Sequence, residues 1–299
     1  MGRPLKGIIV GAFVSALSLG AAFVGFSSVL SQHCGDKYAE WMKGKNDLTL
    51  LRTLNIPGTH NTMALYSLAN VAGKCQTLSL TDQLNIGVRF LDIRLKREGD
   101  NLKAVHGSID QRRDFADIAK DIDSFLNNHP SEGILVSIKD EDGDKDPVKF
   151  ENTLKSFINE KWYTGNVLPA TLGSIRGKAI LLSRFHNPTI GVNCHNGWLN
   201  STSFTLPNDI YVQDAYKVND IEEKKTTITA CFNEAGHALK INFLSGYKPS
   251  SFPPSYAPSV AKEINPWVAT NISSFVDKGV VLYDFVTTTM MDAFFGGSL

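Results

Sequence analysis

The chain has 299 residues, 42% hydrophobic and 20% charged, an ordinary globular composition that excludes intrinsic disorder along its body. Lys plus Arg total 30 and Asp plus Glu total 30, so the formal net charge is zero. That balance leaves no basic footprint for nucleic acid, and any contact with a lipid surface must rest on apolar side chains rather than on charge.

Arg3 and Lys6 precede an uncharged run over 7–30, the order of a signal peptide's basic and apolar regions. Val29-Leu30-Ser31 fits a cleavage site that would start the mature chain at Gln32. A helix of about 20 apolar residues also spans a bilayer, so an uncleaved signal anchor through residues 7–30 is the alternative. The expected organisation is a targeting segment over 1–31 and one globular body over 32–299, secreted or held outside the cell. A monomer is expected.

Cys34, Cys75, Cys194 and Cys231 are even in number and lack zinc-finger spacing. Together with export, they predict two disulfides, Cys194 to Cys231 and Cys34 to Cys75 by chain proximity. Asn200-Ser-Thr and Asn271-Ile-Ser fit the glycosylation triplet.

Short β-branched and apolar runs predict eight strands: 53–56, 88–95, 102–105, 133–138, 179–183, 210–213, 241–244 and 279–283. Helical patterns lie between several of them, clearest over 114–127, 147–161, 219–235 and 259–276. Alternating β and α elements imply a parallel sheet, and about eight strands suit a single TIM-type (β/α)8 barrel, of about 250 residues. No glycine-rich dinucleotide fingerprint follows the first strand.

Polar residues follow the strands instead: His60, Asp92 with Arg94, His106, Lys139, Arg184, Asp214 with Tyr216, and Asp284. A barrel gathers the C-terminal ends of its strands into one mouth, so this series converges. Two histidines suit phosphodiester cleavage, one taking a proton from the attacking hydroxyl and one giving a proton to the leaving oxygen. Arg94 offers a planar fork to the negative charge on phosphorus, and Asp284 can orient the base histidine. The other histidines, His33, His129, His186, His195 and His237, are expected to be structural.

Ile56-Pro-Gly-Thr-His-Asn61, Gln83-Leu, Gly87-Val-Arg-Phe-Leu-Asp-Ile-Arg94 and Val105-His-Gly107 resemble the catalytic X region of phosphatidylinositol-specific phospholipases C. The likeness continues through His129-Pro-Ser-Glu132 and Leu135-Val-Ser-Ile-Lys139, and more weakly through Leu181-Leu-Ser-Arg184, Val212-Gln-Asp-Ala-Tyr216 and Val281-Leu-Tyr-Asp284. The resemblance implies His60 as general base, His106 as general acid and Asp284 as the base's partner, with Asp92 and Arg94 on the second strand. It implies that Lys139, Arg184 and Asp214 bind inositol or phosphate and that Tyr216 stacks on the sugar.

The substrate class implied is phosphatidylinositol in a membrane, or a glycosylphosphatidylinositol anchor, giving diacylglycerol and inositol 1,2-cyclic phosphate. Arg94 stands where the calcium-dependent branch carries an acid, so no cofactor is expected. Asn61 departs from the metal-independent pattern, which has aspartate there, and calcium at Asn61 and Asp92 is the alternative. The same residue types would also suit a metal-dependent barrel phosphodiesterase of the glycerophosphodiesterase or sphingomyelinase D type, or a catalytically silent lipid-binding barrel. Tyr247-Lys-Pro-Ser-Ser-Phe-Pro-Pro-Ser-Tyr256 is expected at the barrel mouth with aromatics suited to a bilayer.

Overall fold

In chain order the strands are β1 (Ile56–Thr59), β2 (Phe90–Glu98), β3 (Asn101–His106), β4 (Ile109–Asp114), β5 (Ile134–Asp140) and β6 (Trp162–Tyr163). They continue with β7 (Ala179–Arg184), β8 (Val192–Asn193), β9 (Ser203–Thr205), β10 (Ile210–Gln213), β11 (Leu239–Phe243) and β12 (Val280–Tyr283). The helices are α1 (Leu80–Asn85), α2 (Phe115–Asn128), α3 (Pro147–Lys155), α4 (Leu172–Ile175), α5 (Ile221–Asn233), α6 (Ala257–Asn271) and α7 (Thr288–Phe295). This computed structural model describes residues 35–67, 73–143, 145–250 and 256–296, so the expected targeting segment 1–31 and Cys34 lie outside the described residues.

Seven strands, in the spatial order β7-β5-β2-β1-β12-β11-β10, pair in parallel as one curled sheet. Their sequences explain the burial: β7 (AILLSR) and β12 (VVLY) are buried at every position, as parallel strands covered on both faces must be. Helices supply one cover. In α2, Phe115, Ile118, Ala119, Ile122, Phe125 and Leu126 are buried at helical spacing, and each large side chain contributes about 1.5–3 kcal/mol. Gly58 lets β1 lie close to β2, since a Cβ there would stand 2.9 Å from that of Phe90.

The barrel is irregular. β6 and β8 extend one edge beside β7, and β9 runs antiparallel on β10 at the other. No strand pairing joins these edges among the described residues. Side chains cross the gap: Asn208 Nδ2 donates to the Asn193 carbonyl at 3.0 Å, and Trp198 lies over the Arg184 guanidinium at 3.5 Å.

Two predicted strands need correction. Thr53 belongs to a short 3-10 turn, and the first strand starts at Ile56. The predicted strand 102–105 is not a parallel member of the barrel; it pairs antiparallel with both β2 and β4. β2 overruns the barrel to Glu98 and turns back within two residues, too short a link for the crossover that a parallel partner requires.

At the opposite end from the C-terminal strand ends, Arg89 immediately precedes β2, Glu132 lies two residues before β5, and the two form a fully buried ion pair of 2.9 Å. Arg89 also donates to the carbonyls of Leu84, Val88 and Ala39, and Glu132 accepts from Met42 N. Tyr38, Trp41 and Met42 close this end, with Phe295 of α7 stacked on Tyr38 at 4.5 Å. No described helix is long and apolar enough to cross a membrane.

The expected Cys194–Cys231 disulfide does not form, and the expected Cys34–Cys75 pair involves Cys34, which lies outside the described residues. Cys75, Cys194 and Cys231 are buried free thiols. Cys194 follows β8, where burial pushes its thiol up to about 12, while Cys231 on α5 points its sulfur at the Ile241 carbonyl, 3.8 Å away. Chain proximity fails here because the two thiols have different neighbours, Cys194 meeting Asn208 and Arg184 while Cys231 points at β11.

Candidate active site

The C-terminal ends of the parallel strands enclose a cavity of about 470 Å³. His60, Arg94, His106, Lys139, Arg184, Asp214 and Tyr216 all line it. Asn61, Asp92 and Asp284 stand behind that wall, each buried.

The loop after β1 is held from several sides. His60 N donates to the Tyr283 carbonyl at 3.0 Å, and Gln76 Nε2 donates to the carbonyls of His60 and Tyr283, each at 2.9 Å. His60 Nδ1 lies 2.7 Å from Asp284 Oδ1, so Nδ1 carries the proton of the neutral ring and Nε2 is the free acceptor. Asn265 Nδ2 fixes the Asp284 carbonyl at 2.8 Å. Asn61 adopts the left-handed region (φ 40°), which asparagine tolerates. Its backbone N donates to Asp92 Oδ2 at 3.0 Å, and its buried side-chain atoms have no hydrogen-bond partner.

His106 ends β3, where Gly107 (φ 56°) opens the tight turn into β4. Its Nδ1 lies 3.0 Å from the Gly73 carbonyl, and its ring centroid is 6.4 Å from that of His60, edge to face. Burial pushes the His106 imidazole below its ordinary value; the Gly73 carbonyl opposes this, and Arg94 and His60 add to it.

Asp92 is enclosed by cations. Its Oδ2 accepts from Arg94 Nε at 3.2 Å and Nη2 at 3.1 Å, and its Oδ1 accepts from Arg184 Nη1 at 3.1 Å. Burial alone would raise this carboxyl, but Arg94, Arg184, His60 and the Asn61 amide hold it well below the usual carboxylate range. Lys139 donates to Glu141 Oε1 at 2.8 Å, and Arg94 Nη1 reaches the same oxygen at 3.5 Å. Burial, joined by Arg94, pulls the Lys139 ammonium below its ordinary value. Asp214 Oδ2 accepts from Trp198 Nε1 at 3.1 Å, and Tyr216 donates to Asn200 Oδ1 and stacks on Tyr247 at 6.0 Å.

Sequence reasoning did not find Glu141, Trp198, Asn200 or Cys75, all of which line the cavity. Glu141 lies two residues beyond Lys139 at the end of β5, a spacing that marks one end of one strand. Trp198 and Cys75 lie on loops and carry no such signal.

Two imidazoles line one cavity, one backed by a carboxylate, together with Arg94, Arg184 and Lys139, an arrangement of the barrel phosphodiesterase class whose groups have the chemistry for acid and base work. The family model "Phosphatidylinositol-specific phospholipase C, X domain" matches residues 54–184. A 1-phosphatidylinositol phosphodiesterase of Listeria monocytogenes is 31% identical over 268 residues, covering 82% of this chain and 80% of that protein. Its Staphylococcus aureus (strain Newman) counterpart is 27% identical over 280 residues, covering 82% and 88%. The solved phosphatidylinositol-specific phospholipase C of Listeria monocytogenes matches with TM-score 0.72 at 26% identity over 88% of this chain and 99% of that one. A double mutant of the Staphylococcus aureus enzyme matches with TM-score 0.75 at 22% identity, over 87% and 98%, which bears on the fold. This chain belongs to the phosphatidylinositol-specific phospholipase C family.

Proposed function

We propose that this chain cleaves the glycerol–phosphate bond of phosphatidylinositol, or of a glycosylphosphatidylinositol anchor, to diacylglycerol and inositol 1,2-cyclic phosphate. The observation that carries the reading is the His60–His106 pair across one cavity, with Asp284 on Nδ1 of only the first ring. His60 Nε2 takes the proton of the inositol 2-hydroxyl as that oxygen bonds to phosphorus. The bond from phosphorus to the glycerol oxygen breaks, and His106 in its protonated form gives that oxygen its proton. The proton gained by His60 and the one lost by His106 balance over the cycle.

Arg94 and Arg184 meet the phosphoryl charge, with Asp92 between them fixing the forks rather than touching substrate. Lys139 and Asp214 hydrogen-bond inositol hydroxyls and Tyr216 stacks on the ring. Calcium does not fit Asn61 and Asp92: both Asp92 oxygens are bound by guanidinium groups, and a cation entering there would be repelled by Arg94 and Arg184. That occupancy supports a reaction run by side chains without a metal.

The enzyme acts as a monomer on a membrane surface from outside the cell, delivered by the segment 1–31. Tyr247 lines the cavity, and Tyr256 (40% exposed) and Leu199 (51% exposed) stand at its rim. Residues 251–255 of the expected aromatic segment lie outside the described residues. Replacing Phe252 and Tyr256 by Ser should lower vesicle partitioning; unchanged partitioning removes the membrane contact.

Phosphorus NMR on phosphatidylinositol vesicles tests the chemistry. Cyclic phosphate should form in chelator, without stimulation by calcium, and should not form with His60→Ala. Strict calcium dependence would overturn the metal assignment, and full-rate cleavage by His60→Ala would overturn the mechanism.

A further inference from the structure

Cys75 takes no part in the chemistry above, yet it lines the same cavity. His60, Cys75 and Asp284 each bring one ligand atom, and these atoms lie within 4.8 Å of one another. Cys75 Sγ is also 3.8 Å from His106 Nδ1. In a tetrahedral site with metal–sulfur near 2.3 Å and metal–nitrogen near 2.0 Å, neighbouring ligand atoms stand roughly 3.5 Å apart, so small side-chain rotations close this set around one ion.

Asp284 adds an independent observation. It is 1% exposed, and while Oδ1 is bonded to His60, Oδ2 is buried with no hydrogen-bond partner apart from the adjacent Cys75 thiol. A buried carboxylate oxygen with unused lone pairs beside a thiol and an imidazole is an incomplete coordination set. Thiol, imidazole and carboxylate together select thiophilic ions of the zinc class over hard calcium or magnesium.

We propose that the catalytic histidine pair of this chain doubles as an inhibitory site for a thiophilic divalent cation, zinc or cadmium, held by Cys75 Sγ, Asp284 and His60, with His106 in reach. On binding, the Cys75 S–H bond breaks, a sulfur–metal bond forms and that proton leaves to solvent, while the His60 ring proton moves from Nδ1 to Nε2 as Nδ1 takes the metal; the ion stays divalent and nothing is oxidised. Thiolate and carboxylate neutralise the ion, which offsets repulsion from nearby Arg94. The metal occupies the ground between His60 and Asp284, so His60 can no longer cycle its proton. The inhibitory consequence rests on His60 being the base, whereas the binding itself does not.

The thiol faces Asp284, Arg94, Asp92, His60 and His106, and burial with Asp284 beside it keeps it protonated in the free protein. One proton therefore leaves for each ion bound.

Cadmium titration of the full chain, followed by the ultraviolet thiolate–cadmium charge-transfer band, tests the site. The expected result is one equivalent of band, lost in Cys75→Ala and Cys75→Ser, with zinc abolishing lipid cleavage reversibly to chelator in the native chain alone. Circular dichroism checks the fold of both variants, and alkylation of the accessible thiols of the native chain serves as a second measurement, with cadmium protecting Cys75. A band that survives in Cys75→Ala, no band in the native chain, or zinc inhibition unchanged in Cys75→Ala would each overturn the proposal. A Cys75-dependent band in a chain that cleaves no lipid would keep the site and overturn the catalytic reading; cleavage without the band does the reverse.

Discussion

His60 Nδ1 and Asp284 Oδ1 stand 2.7 Å apart although 224 residues separate them in the chain. β1 and β12 are adjacent parallel strands in register, Thr59 against Tyr283, so the residues that follow each strand meet at the mouth. This contact is what favours His60 as the base in the proposed mechanism, because a carboxylate on Nδ1 fixes the tautomer and stabilises the imidazolium. His106 has a backbone carbonyl there instead.

Asp284→Asn should therefore lower kcat on the order of 10²- to 10⁴-fold with little change in KM, since the lost interaction grows in the transition state. Steady-state kinetics on a soluble inositol phosphodiester checks this. An equal loss carried entirely by KM would show that Asp284 serves substrate binding.

His106 should titrate below an ordinary imidazole in NMR of the free protein, because burial and the neighbouring charge of Arg94 disfavour its cation. An anionic phosphate analogue in the cavity should move that titration upward, as should Arg94→Gln. A general acid needs its proton in the complex, so the upward shift supplies the acid form when substrate charge is present. A titration unmoved by both changes contradicts the placement of Arg94 beside this ring.

Asp92 contributes stability in a defined window. Its folded-state value lies below its unfolded one, so the contribution is fully present above the ordinary carboxylate value and is lost as pH falls through the lower folded value. Asp92→Asn leaves two guanidinium groups without their shared partner and should cost about 3–5 kcal/mol near neutral pH. Urea unfolding across pH should show the gap between the two proteins narrowing under acid conditions; a gap independent of pH would assign it to packing.

Glu132→Gln should cost a similar roughly 3–5 kcal/mol, since it strands the buried Arg89 charge, yet the folded protein should keep its kcat. The pair lies at the opposite strand ends from the cavity, where barrel residues serve stability. The double change Arg89→Met with Glu132→Leu should cost less than Glu132→Gln alone. Equilibrium unfolding with parallel assays separates the two effects, and a kcat loss in the folded Glu132→Gln protein would contradict the separation.

Much of this was legible in the sequence because parallel strands buried on both faces write continuous apolar runs, and catalytic side chains sit where those runs stop. The motif around His60 and the run from Gly87 to Arg94 identified the family resemblance, and the polar series placed seven residues that line one cavity. Asn61 stood out as a departure from the metal-independent pattern, and its side chain is buried without a hydrogen-bond partner.

Tertiary structure decided the rest, for a physical reason that recurs. Strand direction depends on connection length and partner, so the apolar run 102–105 could not reveal that it folds back antiparallel and carries His106 in on a hairpin. Cysteine pairing depends on where sulfur atoms point, so an even count misled, and three thiols stay free. The base and acid assignments, the cations around Asp92 and the place of Cys75 beside both histidines are all contacts between distant segments. Local sequence encodes which residues are buried and which are polar; only closure of the sheet determines which of them touch.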